Sequence, residues 1–204
     1  TGSFVNRENF KELLNDVNFS STNFFIDEAF IDFIKNGEDL SFKHFESDRV
    51  IIIRAFTKFF GIPGLRLGYS ICYNKKWVST ANNLKEPWTI NTFAASCGEI
   101  LLNSNKYIEK TYKTLEKEKN RMLNGLKKIE NIQVFKSESN FLLIKLMEIS
   151  GTELYNKLLE KGFLIRRCEN FNFLDDSYVR IAIKDKKSNK NFIKAINKIT
   201  KNRN

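Results

Sequence analysis

With 204 residues, 42% of them hydrophobic and 28% charged, the chain has the length of one or two ordinary globular domains and can bury a real core. A net charge of +10 raises the idea of a polyanion partner, yet the basic residues are interleaved with acids and no helix-turn-helix spacing, zinc pattern or aromatic ribonucleoprotein motif occurs, which excludes nucleic acid as the expected partner. Cys72, Cys97 and Cys168 lie far apart with no C-x-x-C pair, which argues against a disulfide framework and a zinc site; no metal is expected, and no apolar run approaches a membrane span.

A protein of the reducing cytoplasm without a membrane partner is therefore expected, and the opening T-G-S-F-V-N-R-E-N-F contains no signal-peptide core. Arg7 to Val17 reads as a helix with Phe10, Leu13 and Leu14 on one face and Asn6 as its cap. Asn23 to Asp27, N-F-F-I-D, reads as a short buried strand ending in an acid. An aspartate at a strand end is costly unless it meets a cation or a donor, and its alternative is to cap a helix through E-A-F-I-D-F-I. His44, the lone histidine, reads as an ordinary surface residue.

Val50 to Ile53 are four β-branched residues in a row, the pattern of a strand buried on both faces in the middle of a parallel sheet. Lys58 follows just past its end, where open α/β sheets place their chemistry. Arg66 comes eight residues later, after a turn carrying Gly61, Pro63 and Gly64. A partly desolvated lysine loses its proton more readily and forms Schiff bases, and a guanidinium holds phosphate with two prongs. The pattern thus fits a covalent amine beside an anion clamp; its alternative is a surface loop with two solvated cations.

Further strands and helices follow in order. Leu67 to Tyr73 reads as a strand in which Gly68 allows close backbone approach. Ile90, Phe93, Ala94, Cys97 and Leu101 recur at helical spacing and are expected to bury one face, with Pro87 and Trp88 as a rigid entry. Tyr107 to Ile129 reads as a long amphipathic connecting helix, since Lys119 breaks its near-heptad stripe. Val134-Phe135, Phe141 to Leu146, Phe163 to Ile165 and Tyr178 to Ile183 read as strands. Thr152 to Lys161, capped by Thr152 and ended by Gly162, and Lys187 to Ile199 read as helices. Arg166 and Arg180 close or punctuate two of these strands, where they either grip an anion together or stand solvated at the surface.

The segment R-A-F-T-K-F-F-G-I-P-G-L-R-L-G-Y resembles the lysine segment of fold-type I pyridoxal-phosphate (PLP) enzymes of the class I/II aminotransferase group. The resemblance implies PLP as cofactor, Lys58 as the lysine that binds it covalently, Thr57 as the hydroxyl beside it and Arg66 as the phosphate ligand. D-E-A-F-I-D-F resembles the group's next signature, which gives Asp27 the pyridine nitrogen. Two departures stand out. Ala55 occupies a place where the group has Ser or Thr, and Phe30 stands beside the cofactor where typical members have tyrosine.

Together with P-W-T-I-N-T-F, S-N-F-L-L-I-K-L, F-L-I-R-R-C-E-N-F and Y-V-R-I-A-I-K, these segments resemble the threonine-phosphate decarboxylase branch of that group, with the histidinol-phosphate aminotransferase branch as the alternative. The likeness implies a carboxy-lyase that converts L-threonine O-3-phosphate to (R)-1-amino-2-propanol O-2-phosphate in cobalamin biosynthesis. Arg166 and Arg180 would hold the substrate's carboxylate and phosphate, and Arg167 replaces a smaller residue. The implied fold is α/β. Residues 1–105 would form the C-terminal portion of a large domain with a mostly parallel sheet, and 106–204 a small α/β domain. The likeness also implies a homodimer at full length, and an incomplete chain, inactive alone, whose small domain is the better folded half. A non-catalytic polyanion-binding module is the reading of a different class.

Overall fold

In a computed structural model the structure describes residues 2–201, which divide into two compact units. One comprises Phe4–Ile108; the other runs from Glu109 onward and takes in residues 2–3.

The first unit begins with helix α1, Arg7–Asn15, whose cap Asn6 accepts from the Glu8 and Asn9 amides and whose Phe10 and Leu14 are buried. Strand β1, Phe24–Asp27, leads through a 3-10 turn at Ile31–Phe33 to the short helix α2, Gly37–Leu40. Strand β2, Val50–Ala55, runs straight into the one-turn helix α3, Phe56–Phe59. Strand β3, Gly68–Cys72, follows, and helices α4, Lys75–Leu84, and α5, Thr92–Leu102, complete the unit. The sheet has the order β1-β2-β3 and is mixed: β1 pairs with β2 in parallel, β3 antiparallel to β2.

One face of this sheet is packed and the other is open. Val50 and Ile52 are buried together with Phe10, Leu14 and Phe42. On the opposite face Phe25 is 67% exposed and Ile53 43%, so the expectation that both faces of Val50 to Ile53 and of Asn23 to Asp27 are buried is corrected. A β-branched run reports strand preference; the one-residue alternation of burial along β1 and β2 reports that only one layer covers them. The expectation of a buried face on α5 is corrected as well. Only Ala94 is buried there, while Ile90 and Phe93 are exposed, because no element of this unit lies over that side.

Helix α6, Asn105–Leu126, leads into the second unit, where β4, Ile132–Val134, and β5, Phe141–Leu146, form a hairpin. Helix α7, Gly151–Leu159, is capped by Ser150 rather than Thr152, whose hydroxyl instead donates to Asp176 Oδ1. Gly162, at φ +77°, follows it in the left-handed region that glycine tolerates. Phe163 to Ile165 is not a strand; β6 is Arg166–Arg167, and β7, Tyr178–Ala182, precedes the last helix α8, Lys186–Lys201. The antiparallel order is β4-β5-β7-β6. Its core joins Met122 and Leu126 of α6 with Leu142, Ile144, Leu154, Leu158, Val179 and Ile196. Buried Glu118 ties α6 to α8 by accepting from Asn189 Nδ2 at 3.1 Å.

Candidate functional site

Because β1 and β2 run in parallel with Asp27 opposite Ile53, their carboxyl ends lie side by side at one edge of the first unit. Alternation puts Phe25 and Asp27 on the open face. Asp27 Oδ1 accepts from the Ala29 amide at 2.8 Å, so this side chain both stands at a strand end and holds the turn that follows. The longer helix of the alternative reading is only the 3-10 turn at Ile31–Phe33.

Lys58 projects from α3, immediately past β2, with its ammonium 5.5 Å from the centroid of the Phe30 ring. Its neighbour Phe59 is buried against Phe33, with ring centroids 5.3 Å apart, and Phe59's carbonyl accepts from the Tyr107 hydroxyl at 3.0 Å. A single helical turn is marginal alone, so this anchoring fixes where Lys58 stands. Lys58 itself is exposed, as are Asp27 and Arg66, while Thr57 and Phe30 are half-buried. Arg66 sits at φ 53°, and its guanidinium donates back to the Pro63 carbonyl at 3.0 Å. The structure thus brings Asp27, Phe30 and Lys58 to one edge and leaves Arg66 engaged with its own loop.

Sequence reasoning missed what lies on the packed face beneath. Arg54, only 2% exposed, donates from Nε to Glu28 Oε2 at 2.9 Å and from Nη1 to Glu38, with Asp32 at 3.6 Å. Glu28 also accepts from the Phe42 amide at 2.7 Å and the Ser41 hydroxyl at 2.8 Å. Burial pushes the Asp32 carboxyl up despite Arg54, whereas for Glu38 the hydrogen bonds from Lys43 and Arg54 outweigh burial and hold it below the usual range. Burial also raises the Tyr69 phenol, which lies opposite Arg54 on β3. A signal was present: an arginine inside I-I-I-R-A must find an acid if its strand is packed.

In the second unit Arg166 and Arg180 are direct cross-strand partners on β6 and β7. Like charges placed opposite one another repel, which an anion between them would relieve. Arg180 stacks on Phe141 at 4.6 Å, and Arg166 on Phe171 at 5.6 Å while donating to Asn170. Neither arginine is in an ion pair among the described residues. Arg167 is different: it pairs with Glu169 at 2.9 Å, donates to Thr152 and lies over Tyr155.

The family model "Aminotransferase class I and II" matches residues 1–196. The chain belongs to that family. It is 37% identical over 203 residues to a Caldanaerobacter subterraneus protein assigned as a threonine-phosphate decarboxylase, covering 96% of this chain and 54% of that one. It is 30% identical to the histidinol-phosphate aminotransferase of Methanocaldococcus jannaschii, covering 98% and 52%. A crystal structure of the histidinol-phosphate aminotransferase from Clostridium acetobutylicum superimposes with a TM-score of 0.94 at 40% identity, over 99% of this chain and 61% of that one. The chain thus spans about half the length of the curated relatives it matches. Class I/II aminotransferases are PLP-dependent. The donor set fits that group: among the described residues Lys58 and Arg66 are paired with no acid, and Asp27 has one carboxylate oxygen outside its turn.

Proposed function

We propose that this chain carries the lysine and aspartate wall of a PLP-dependent carboxy-lyase acting on L-threonine O-3-phosphate, a step of cobalamin biosynthesis. The observation that carries the reading is the placing of Asp27 and Lys58 at adjacent ends of a parallel strand pair, with Phe30 under the lysine ammonium. When bound, PLP supplies an electron sink for the charge left at the substrate α-carbon. Lys58 holds the cofactor covalently, Asp27 keeps a proton on its ring nitrogen, Thr57 and Arg66 bind its phosphate, and Phe30 offers an apolar surface without a hydroxyl. Arg166 and Arg180 take the substrate's two anionic groups, while Arg167, tied to Glu169 and Thr152, stays out of that role. In this reading Phe4–Ile108 is the C-terminal portion of the cofactor domain, the remainder is the small domain, and the whole protein is a homodimer.

A histidinol-phosphate aminotransferase is the second reading, favoured by the 0.94 superposition on the Clostridium acetobutylicum enzyme. Which bond at the substrate α-carbon is presented for cleavage, to the carboxylate or to the hydrogen, would separate the two reactions, and the residues that position the substrate would make that choice. The test has two stages. Borohydride trapping of added PLP should label Lys58, and Lys58→Ala should abolish that label; a label that persists elsewhere sinks the assignment. Carbon dioxide and aminopropanol phosphate from threonine phosphate then support the lyase, whereas transfer from histidinol phosphate to 2-oxoglutarate supports the aminotransferase.

A further inference from the structure

We propose that Glu28 and Arg54 are positioning residues that lock the register of β1 on β2 and so hold Asp27 and Lys58 at the same edge of the sheet; this rests on the reading of that edge as the cofactor site. A slip of one residue between two strands turns every side chain of one of them to the other face. Here such a slip would carry Asp27 into the packed layer and part it from Lys58. The packed face already disfavours a one-residue slip, but a two-residue slip keeps every side chain on its own face and would move Asp27 about 7 Å along β2. On the packed face Phe24 pairs with Val50 and Ile26 with Ile52, all apolar, so nothing polar in that ladder marks one register from the next but one.

The charged pair supplies the specificity that the apolar residues lack. Glu28 is the residue after Asp27, its amide donating to the Ile53 carbonyl at 2.9 Å, and Arg54 is the residue after Ile53. The ion pair at 2.9 Å therefore fastens the two strand ends on the packed face, one position beyond the Asp27 and Ile53 pairing, and four residues before Lys58. Glu28 is held in turn by the Ser41 hydroxyl and the Phe42 amide, so it cannot follow a shifted partner. A shift of two residues would keep Glu28 on the packed face but draw it away from Arg54, leaving a buried carboxylate without its partner.

Stability alone does not account for the pair. A buried ion pair is often no better for stability than apolar groups of the same volume, and this one leaves Arg54 Nη2 buried without a hydrogen-bond partner among the described residues. Its presence fits a role in specifying one arrangement over its neighbour.

Two variants test this in the whole chain. Arg54→Lys keeps the charge but loses the planar fork. The double variant Glu28→Gln with Arg54→Met removes the ion pair while the glutamine oxygen still accepts from the Phe42 amide and its NH2 can donate to the Ser41 hydroxyl. Folding is followed by far-ultraviolet circular dichroism and thermal melting. The readout is the share of borohydride-trapped pyridoxyl label on Lys58 relative to the other lysines, measured by peptide mass spectrometry. A folded variant should lose the enrichment at Lys58 by about ten-fold. Enrichment equal to the parent in a folded variant would overturn the proposal and leave the cofactor reading intact. No enrichment in the parent would remove that reading, and the proposal with it. Failure of both variants to fold would also overturn it, since the pair would then serve the fold rather than the site.

Discussion

Single side chains carry more of the electrostatics than the net charge indicates. Glu118 is buried on α6, where burial alone would raise its carboxyl, yet hydrogen bonds from Asn189 and Arg121 hold it below the ordinary glutamate value of 4.5. A carboxyl depressed on folding contributes stability that is fully present above its unfolded value and is lost as pH falls through the lower, folded one. Glu118→Gln should therefore destabilise the chain by about 1 kcal/mol at neutral pH, with the deficit shrinking on acidification below 4.5. Urea unfolding at a series of pH values checks this; a deficit constant down to the acid limb would contradict it. At the same scale, the strand-end placing of Asp27 and Lys58 was legible in the sequence because both follow short β-branched or aromatic runs that end abruptly. Glu28 and Arg54 were not read, because an alternating partner is visible only when the packed face is known.

Elements were legible where one period dominated. Helices α1 and α8 and strands β5 and β7 follow from spacing and caps, whereas Phe163 to Ile165 satisfies the strand pattern and yet stays outside the sheet, whose ladder starts at Arg166. The α5 stripe was misjudged for a related reason: periodicity reveals that a helix has an apolar face, not that its own unit covers it. Two glycines show how far neighbours can yield. A Cβ on Gly68 would meet the Arg54 carbonyl oxygen at 2.7 Å, and backbone inside a strand pair cannot move aside. A Cβ on Gly125 would meet Ile193 at Cδ1, Cγ1 and Cγ2, 2.5, 3.1 and 3.2 Å away, so a whole side chain must shift, though no backbone. Gly68→Ala should accordingly cost about 1–3 kcal/mol. Gly125→Ala should cost less, because a side chain can shift where a strand backbone cannot and helix propensity returns about 1 kcal/mol. Melting curves of the two variants decide this, and equal losses would contradict it.

Taken whole, the molecule distributes its apolar burial unevenly. The second unit's principal cluster contains fifteen buried residues among those described, while the first unit's contains five. Buried apolar area is the main favourable term, so β5 amides should exchange with solvent more slowly than those of β2. Hydrogen exchange followed by mass spectrometry measures this, and a β2 that outlasts β5 would refute it. The sequence pointed to the unevenness through strand count alone; the open side of the first sheet needed coordinates.

That open side also holds Trp77, whose indole lies nearly parallel to the Phe25 ring at 6.4 Å, on the strand that ends in Asp27. Of the two tryptophans in the chain, the other, Trp88, is 95% exposed and its emission should be that of a solvated indole. With Trp88→Phe, the remaining fluorescence belongs to Trp77. Any ligand that settles beside Asp27 and absorbs in the near ultraviolet would quench it, so the chain carries its own optical gauge of occupancy, independent of any turnover.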